Sequence, residues 1–259
     1  MILRMLTTIL VFLASVTVAL AEDLQIGLSD DGVSIESNFA GTEVAVFGAI
    51  EDPDELALVR NAYDVVVIIQ GPPKAVVVRQ KQRRFGIWIN GAAQTFNRVP
   101  SFYTISSTGP LSEITTAETL TMLQLGFDNI QMRPLTKDES QKDDAIQQAV
   151  YKESLSRLRV ANKLFVEDIG GVDFLSPTLF RARLKVPANI PIGHHRARAY
   201  LFRDGEFLIT RSVLLEVAKR GFEQQTYNLA HRNGLLYGFL AVLIAIFTGW
   251  LASVIFRKD

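Results

Sequence analysis

Two of the three histidines in this chain, His194 and His195, stand side by side in the stretch PIGHHRARAYLFRDGEF, residues 191–207. Paired imidazoles invite a metal-ion reading, because the neutral ring nitrogen is a common ligand. On an extended strand, neighbouring side chains point to opposite faces, so the pair does not easily close on one ion. A structural zinc site takes four ligands, and the remaining histidine, His231, sits far along the chain. No metal and no other cofactor is expected, and the histidines read as hairpin-end residues. The acidic run EDPDE, Glu51 to Glu55, offers oxygens to a hard cation. It lacks the spaced ligands and the glycine of a calcium loop and reads as a surface turn. Cysteine is absent, which removes thiolate nucleophiles, iron–sulfur and blue-copper ligation, c-type haem attachment and disulfides. No G-x-S-x-G, H-E-x-x-H or phosphate-cradling loop occurs, so a non-enzymatic role is expected.

The remaining candidate chemistry is cationic. Arg181, Arg183 and Lys185 alternate with Ala182, Leu184 and Val186, while Arg196 and Arg198 share a face with Tyr200, opposite Ala197, Ala199 and Leu201. If these two strands pair, five cations crowd one sheet surface, an arrangement that costs a few tenths to about 1 kcal/mol per like-charged pair. From Phe174 to Arg220 there are nine basic residues against three acidic ones. Such a face suits an anionic partner, a small anion or a lipid headgroup. The plainer alternative is a solvated sheet face neutralised by the acidic helical insert. Across the whole chain 27 basic residues balance 27 acidic ones, which argues against nucleic acid as a partner.

Strands must carry these residues. Residues 22–110 hold seven short apolar or β-branched runs, DLQIGLS, GVSIESNF, TEVAVFGAI, YDVVVIIQG, AVVVRQKQ, GIWIN and SFYTISS, punctuated by Gly, Pro, Asn and Asp. This is the pattern of a β-sandwich domain, with immunoglobulin-like topology the expectation from strand number. QGPPK marks a turn between two of the runs. Residues 111–166 read as a helical insert. One helix is expected from an N-cap at Ser112 to Gly126, and a longer one through residues 137–165 with a stripe of Ile146, Val150, Leu155, Leu158, Ala161 and Phe165. Residues 167–220 return to strands, LFRARLKVP, HHRARAYLF and FLITRSVLLEVAK, the last two joined by an Asp204-Gly205 hairpin signal.

The ends set the compartment. Arg4, an apolar run, and Ala19 and Ala21 in a small-x-small pattern read as a cleaved signal peptide over residues 1–21. Residues 221–233 form a polar stalk. Residues 234–256 contain no charge and are long enough to cross a bilayer, with Tyr237 and Trp250 toward the interfaces and Arg257 and Lys258 in a cytoplasmic tail, 257–259. Gly234, Gly238, Ala241, Ala245, Gly249 and Ser253 recur every three or four positions, a stripe that lets a second helix approach closely. The expectation is a mainly β, single-pass protein of the cell inner membrane, its N-terminal region periplasmic and its C-terminus cytoplasmic.

SNFAGTEVAVFG, YDVVVIIQGP, VVVRQKQRRFGIWIN, VPSFYTISSTGPL and LFRARLKVPANIPIGHHRARAYLFRDG together resemble the alphaproteobacterial putative transmembrane protein family along nearly the whole chain. The resemblance implies a signal peptide, an exported region and one C-terminal span, and supplies no catalytic residues. Members encoded beside sulfite-exporter-type proteins imply an accessory to anion or sulfur-compound export. The leading expectation is therefore a periplasmic accessory or docking protein for a membrane partner or a second copy of itself. A small-anion binding or sensing module using Arg181, Arg183, Arg196 and Arg198, and a structural envelope protein, are the alternatives.

Overall fold

The computed structural model describes residues 22–30, 32–36, 39–135, 145–219, 230–231 and 234–255. The expected signal peptide, most of the stalk and the C-terminal tail lie outside the described residues. The chain is mainly β. In order, the strands are β1 Asp23–Leu28, β2 Gly32–Ile35, β3 Gly41–Glu51, β4 Tyr63–Gln70, β5 Pro73–Arg84, β6 Ile87–Pro100, β7 Tyr103–Ser107, β8 Arg133–Pro134, β9 Phe165–Ile169, β10 Val172–Phe174, β11 Leu179–Pro187, β12 Gly193–Arg203 and β13 Glu206–Lys219. The helices are α1 Glu55–Val59, α2 Leu111–Ile114, α3 Ala117–Leu123, α4 Ala145–Ala161 and α5 Gly234–Ile255, with a 3-10 turn at Phe127–Asn129.

A first sheet runs β1-β3-β11-β10 and a second runs β2-β13-β12-β4-β7-β9. Each draws strands from both early and late parts of the chain, so residues 22–110 and 167–220 interleave in one β unit. The two sheets face each other across a core of Val44, Val46, Leu184 and Val186 from the first, with Val65, Val67, Ile69, Ala197, Ala199 and Leu201 from the second. The layers are those of a sandwich. Two features depart from the expected immunoglobulin plan: β9 pairs parallel to β7 at one edge, and a third sheet, β5-β6-β8, stands apart from the sandwich.

The outer face of the second sheet carries another core. Val66, Ile68, Tyr103, Ile105, Phe165, Tyr200 and Phe202 pack there with Val78, Phe96 and Val99 of the third sheet and with Ile114, Leu120, Leu125, Tyr151 and Leu155 of the helical segment. β4 is thus buried on both faces, which is why YDVVVIIQ is a continuous apolar run with no polar alternation. A one-residue slip of β4 would exchange its two sets of core residues, so the register is strongly specified.

The helical segment differs in detail from the expectation. The helix expected from Ser112 to Gly126 is broken in two. Ser112 lies inside α2, and the cap that works is Thr116, whose hydroxyl accepts from the Thr119 amide at 3.3 Å and starts α3. α3 stops at Gln124, which takes the left-handed conformation (φ 57°). In α4, Tyr151 and Leu155 are buried, whereas Val150 and Leu158 are each 56% exposed. The buried stripe is rotated from the expected one because a tyrosine, polar at its tip, supplies the packing: its hydroxyl reaches the Ala92 carbonyl at 3.4 Å. The helix ends at Ala161, before Phe165, which opens β9.

Candidate functional site

The two basic strands do not pair. β11 belongs to the first sheet and β12 to the second, so Arg181, Arg183 and Lys185 point outward on one side of the sandwich while Arg196 and Arg198 point outward on the other. Alternation placed each set on the correct face of its strand but could not say which sheet the strand joins. The expected face of five cations does not exist.

The first set is largely neutralised. Asp173, on the neighbouring β10, lies 3.0 Å from the Arg183 guanidinium and 3.6 Å from that of Arg181, and Lys185 stands 3.6 Å from Asp168. The hydrogen bond from Arg183, aided by the charge of Arg181, holds the Asp173 carboxyl below its usual range. These are exposed or half-exposed pairs, worth little to stability. They leave little unbalanced charge for an anion.

The second set divides. Arg196 is exposed, paired in register with Gln70. Arg198 is half-buried, and its guanidinium donates to the Gln70 side chain at 3.3 Å. Beside it opens a cavity of about 490 Å³ between the outer face of the second sheet and the inserted segment. Its lining includes Arg198 from β12, Arg98 from β6 and Arg133 from β8, together with Gln70, Gln124 and Gln131, over an apolar floor that includes Ile68 and Ile130. No carboxylate is among the lining residues. The size suits a small-molecule ligand, and the guanidiniums give the forked donors that match oxyanions.

Backbone irregularity aims two of these residues. The β5–β6 ladder slips register between Lys74↔Val99 and Val76↔Phe96, and within that bulge Arg98 takes φ 58°. Bulges of this kind re-aim a side chain. Gln124, at φ 57°, is the second left-handed non-glycine residue in the lining. Tyr103, 1% exposed, forms part of the wall. Its hydroxyl donates to the Gln124 carbonyl at 3.3 Å and accepts from the Gly126 amide at 3.2 Å. Burial pushes its pKa well above the usual phenol value, so it remains neutral. Nothing in the sequence reading singled out Arg98 or Arg133. Each lies in a locally unremarkable run, and only the third sheet brings them to Arg198.

The histidines fall on opposite faces, as strand alternation requires: His194 is exposed and His195 is wholly buried between the sheets. The His195 Nδ1–H donates to the Gly193 carbonyl at 3.1 Å, and burial, with the charge of Lys74 adding to it, pushes the imidazole pKa down. Its Nε2 and the Ser101 hydroxyl oxygen, neither hydrogen-bonded within the protein, both lie against Gly71. A β-carbon there would stand 2.7 Å from the Ser101 oxygen and 3.0 Å from Nε2. Ser101 is 2% exposed, so this hydroxyl and imidazole are sealed from any substrate. No group of three or more His, Asp or Glu side chains arranged to hold a metal ion occurs among the described residues.

The C-terminal helix α5 stands apart from these cores. Its segment Tyr237–Ile255 has a mean hydropathy of 2.3 and none of it is buried against the rest of the protein. The small-residue stripe is on this helix, and no atom lies within 4 Å of where a β-carbon would stand on Gly234, Gly238 or Gly249. An apolar helix bare on all sides has the character of a membrane span.

A family model described as "Putative transmembrane protein (Alph_Pro_TM)" matches residues 23–258. The chain belongs to this family, alphaproteobacterial by name, and the match takes in both the β unit and the candidate span. No curated protein matches the sequence.

Proposed function

We propose that this is a single-pass membrane protein of the bacterial inner membrane whose β unit faces the periplasm and binds a small oxyanion, as an accessory to a membrane partner that handles such anions. The observation that supports it is the convergence of Arg98, Arg133 and Arg198 on one cavity whose lining contains no carboxylate. The reading is one of binding: the cavity is lined by cationic and amide side chains, and Ser101 and His195 are buried away from it. Of the four arginines the sequence put forward for this task, only Arg198 lines the cavity.

Thermal denaturation of the full chain in detergent, with sulfate, sulfite, thiosulfate and phosphate each at increasing concentration, tests the reading. A ligand at 100 times its Kd adds about 2.7 kcal/mol of stability. One of these anions should raise the midpoint, and Arg198→Met with Arg133→Met should abolish the rise. No stabilisation by any of them refutes the site.

The bare α5 favours docking on a membrane partner as a second reading. Co-purification from mild detergent should then bring down a membrane protein or a second copy, and recovery as a monomer under several gentle conditions would count against it.

A further inference from the structure

The β5–β6 hairpin is longer than the core can use. Its base is fixed by Val78, Phe96 and Val99, but from Arg79 to Thr95 no residue is buried. Apart from the Tyr151 hydroxyl on the Ala92 carbonyl and the Leu135 amide on the Thr95 carbonyl, this outer arm is held by its own ladder, and a lone two-stranded hairpin is marginal in water. At its tip Phe85 and Gly86 form a two-residue turn with φ of 50° and 84°. Such a turn favours asparagine followed by glycine, and a bulky residue at positive φ is an outlier. Phe85 is also fully exposed, and Ile87 and Trp88 are 64% and 67% exposed. A strained, bare aromatic at a turn gives the folded domain nothing.

The charges around it have one sign. Arg84 faces Ile87, Arg83 faces Trp88 and Lys81 faces Asn90 across the ladder. No aspartate or glutamate occurs from Val65 to Ser112, so neither strand of the hairpin carries a negative charge. Amphipathic aromatic rings beside cations are the composition that settles at a lipid headgroup region.

The topology puts the base of this hairpin and the exit toward the span at one pole of the second sheet. β4 ends at Gln70, paired with Arg196, and β13 passes Val217, paired with Gly193, so both finish at the same pole of the second sheet. The hairpin leaves that pole through Gly71 and Pro72 and returns to it before Tyr103, which pairs with Gln70. The chain departs from the same pole after Lys219 toward α5, and residues 220–233 can extend at most roughly 50 Å.

We propose that the β5–β6 tip is a membrane-interface wedge, in which Phe85, Ile87 and Trp88 enter the headgroup region of an anionic bilayer while Lys81, Arg83 and Arg84 meet lipid phosphates. With the span, it gives the β unit a second attachment to the bilayer. Because Pro73 and Arg98 of the same hairpin line the cavity, the wedge also fixes how that cavity is presented.

The chain has two tryptophans, Trp88 and Trp250, which makes the test direct. Full-length Trp250→Phe protein, with Trp88 as its sole indole, is placed in nanodiscs of phosphatidylglycerol or phosphatidylcholine containing lipids brominated near the headgroup. Trp88 emission should shift to the blue and be quenched in phosphatidylglycerol. Both effects should be lost when Lys81, Arg83 and Arg84 are all changed to Gln. Phe85→Asn should weaken the quenching while leaving the thermal midpoint unchanged or higher, since asparagine suits the turn. Water-like, unquenched emission in both lipids overturns the proposal. Emission that is shielded but not quenched by lipid overturns it too, because the tip would then be covered by protein.

Discussion

Acidification should weaken the β unit through one residue, His195. In the folded chain it is wholly buried and held neutral by its surroundings, with the Lys74 charge adding to the effect of burial. In the unfolded chain it takes a proton near its ordinary pKa of about 6.5. The unfolded state therefore binds the extra proton, and folding stability falls as the pH drops below that value. The slope for one proton is about 1.4 kcal/mol per pH unit, which gives an upper limit of about 2 kcal/mol between pH 7 and pH 5. For a β unit of this size that corresponds to roughly 4–8 °C in Tm. His195→Leu removes the titrating group while keeping an apolar side chain in the core. Thermal denaturation followed by far-UV circular dichroism at pH 7 and pH 5 should show a smaller acid-induced drop in the variant than in the parent. Glu167 works in the opposite sense, its pKa raised by desolvation and by Asp128, so the parent-minus-variant difference is the quantity that matters. Equal drops in the two proteins would refute the reasoning.

Gly48 lies under the Phe180 ring, where a β-carbon would come within 2.2 Å of Cζ and 2.9 Å of the Gln25 carbonyl. Gly48→Ala should cost about 1–3 kcal/mol in denaturant unfolding, and adding Phe180→Leu should make the pair less damaging than the sum of the two changes. Tyr63, 5% exposed, donates to Glu22 at 2.6 Å and accepts from the Asp54 amide at 2.8 Å. Tyr63→Phe should therefore lower stability by about 1–2 kcal/mol in the same assay. Arg183→Ala should raise the NMR-detected titration of Asp173 toward the usual carboxylate range, because its main hydrogen-bond donor is gone. The same change should leave any anion affinity intact, since Arg183 is remote from the cavity lining.

How far the sequence reads through to the structure depends on the range of the information. Turns and faces are local, and they are legible. Asp204 and Gly205 take φ of 49° and 88°, the two-residue geometry their pairing implied, and β12 and β13 flank them. Each of the seven early apolar runs carries a strand, and LFRARLKVP is β11 from end to end. Pairing partners are not local. Nothing in RARLKV or HHRARAYL distinguishes the first sheet from the second, so the two sets of cations could be assigned a face but not a neighbour. The cavity was hidden for the same reason. Arg98 and Arg133 are brought together by the register Asn97↔Arg133 and a bulge, and a bulge of one residue leaves no compositional trace. α4 shows a subtler failure. Its apolar residues suit more than one stripe, and the choice fell to Tyr151, whose ring volume outweighs Val150 once its hydroxyl finds a carbonyl.

The place where the chain leaves the second sheet also decides how the protein bears load. β13 is hydrogen-bonded to β12 along nearly its full length and, at its far end, runs parallel to β2 through Glu216↔Gly32 to Lys219↔Ile35. Tension that enters at Lys219 along the strand axis would run across the ladder bonds. Those bonds are strained together in shear, with no opportunity to open one at a time as in peeling. A pull applied there along the strand would therefore be carried into the sandwich before any strand came free, and the β unit would bear the load as one piece.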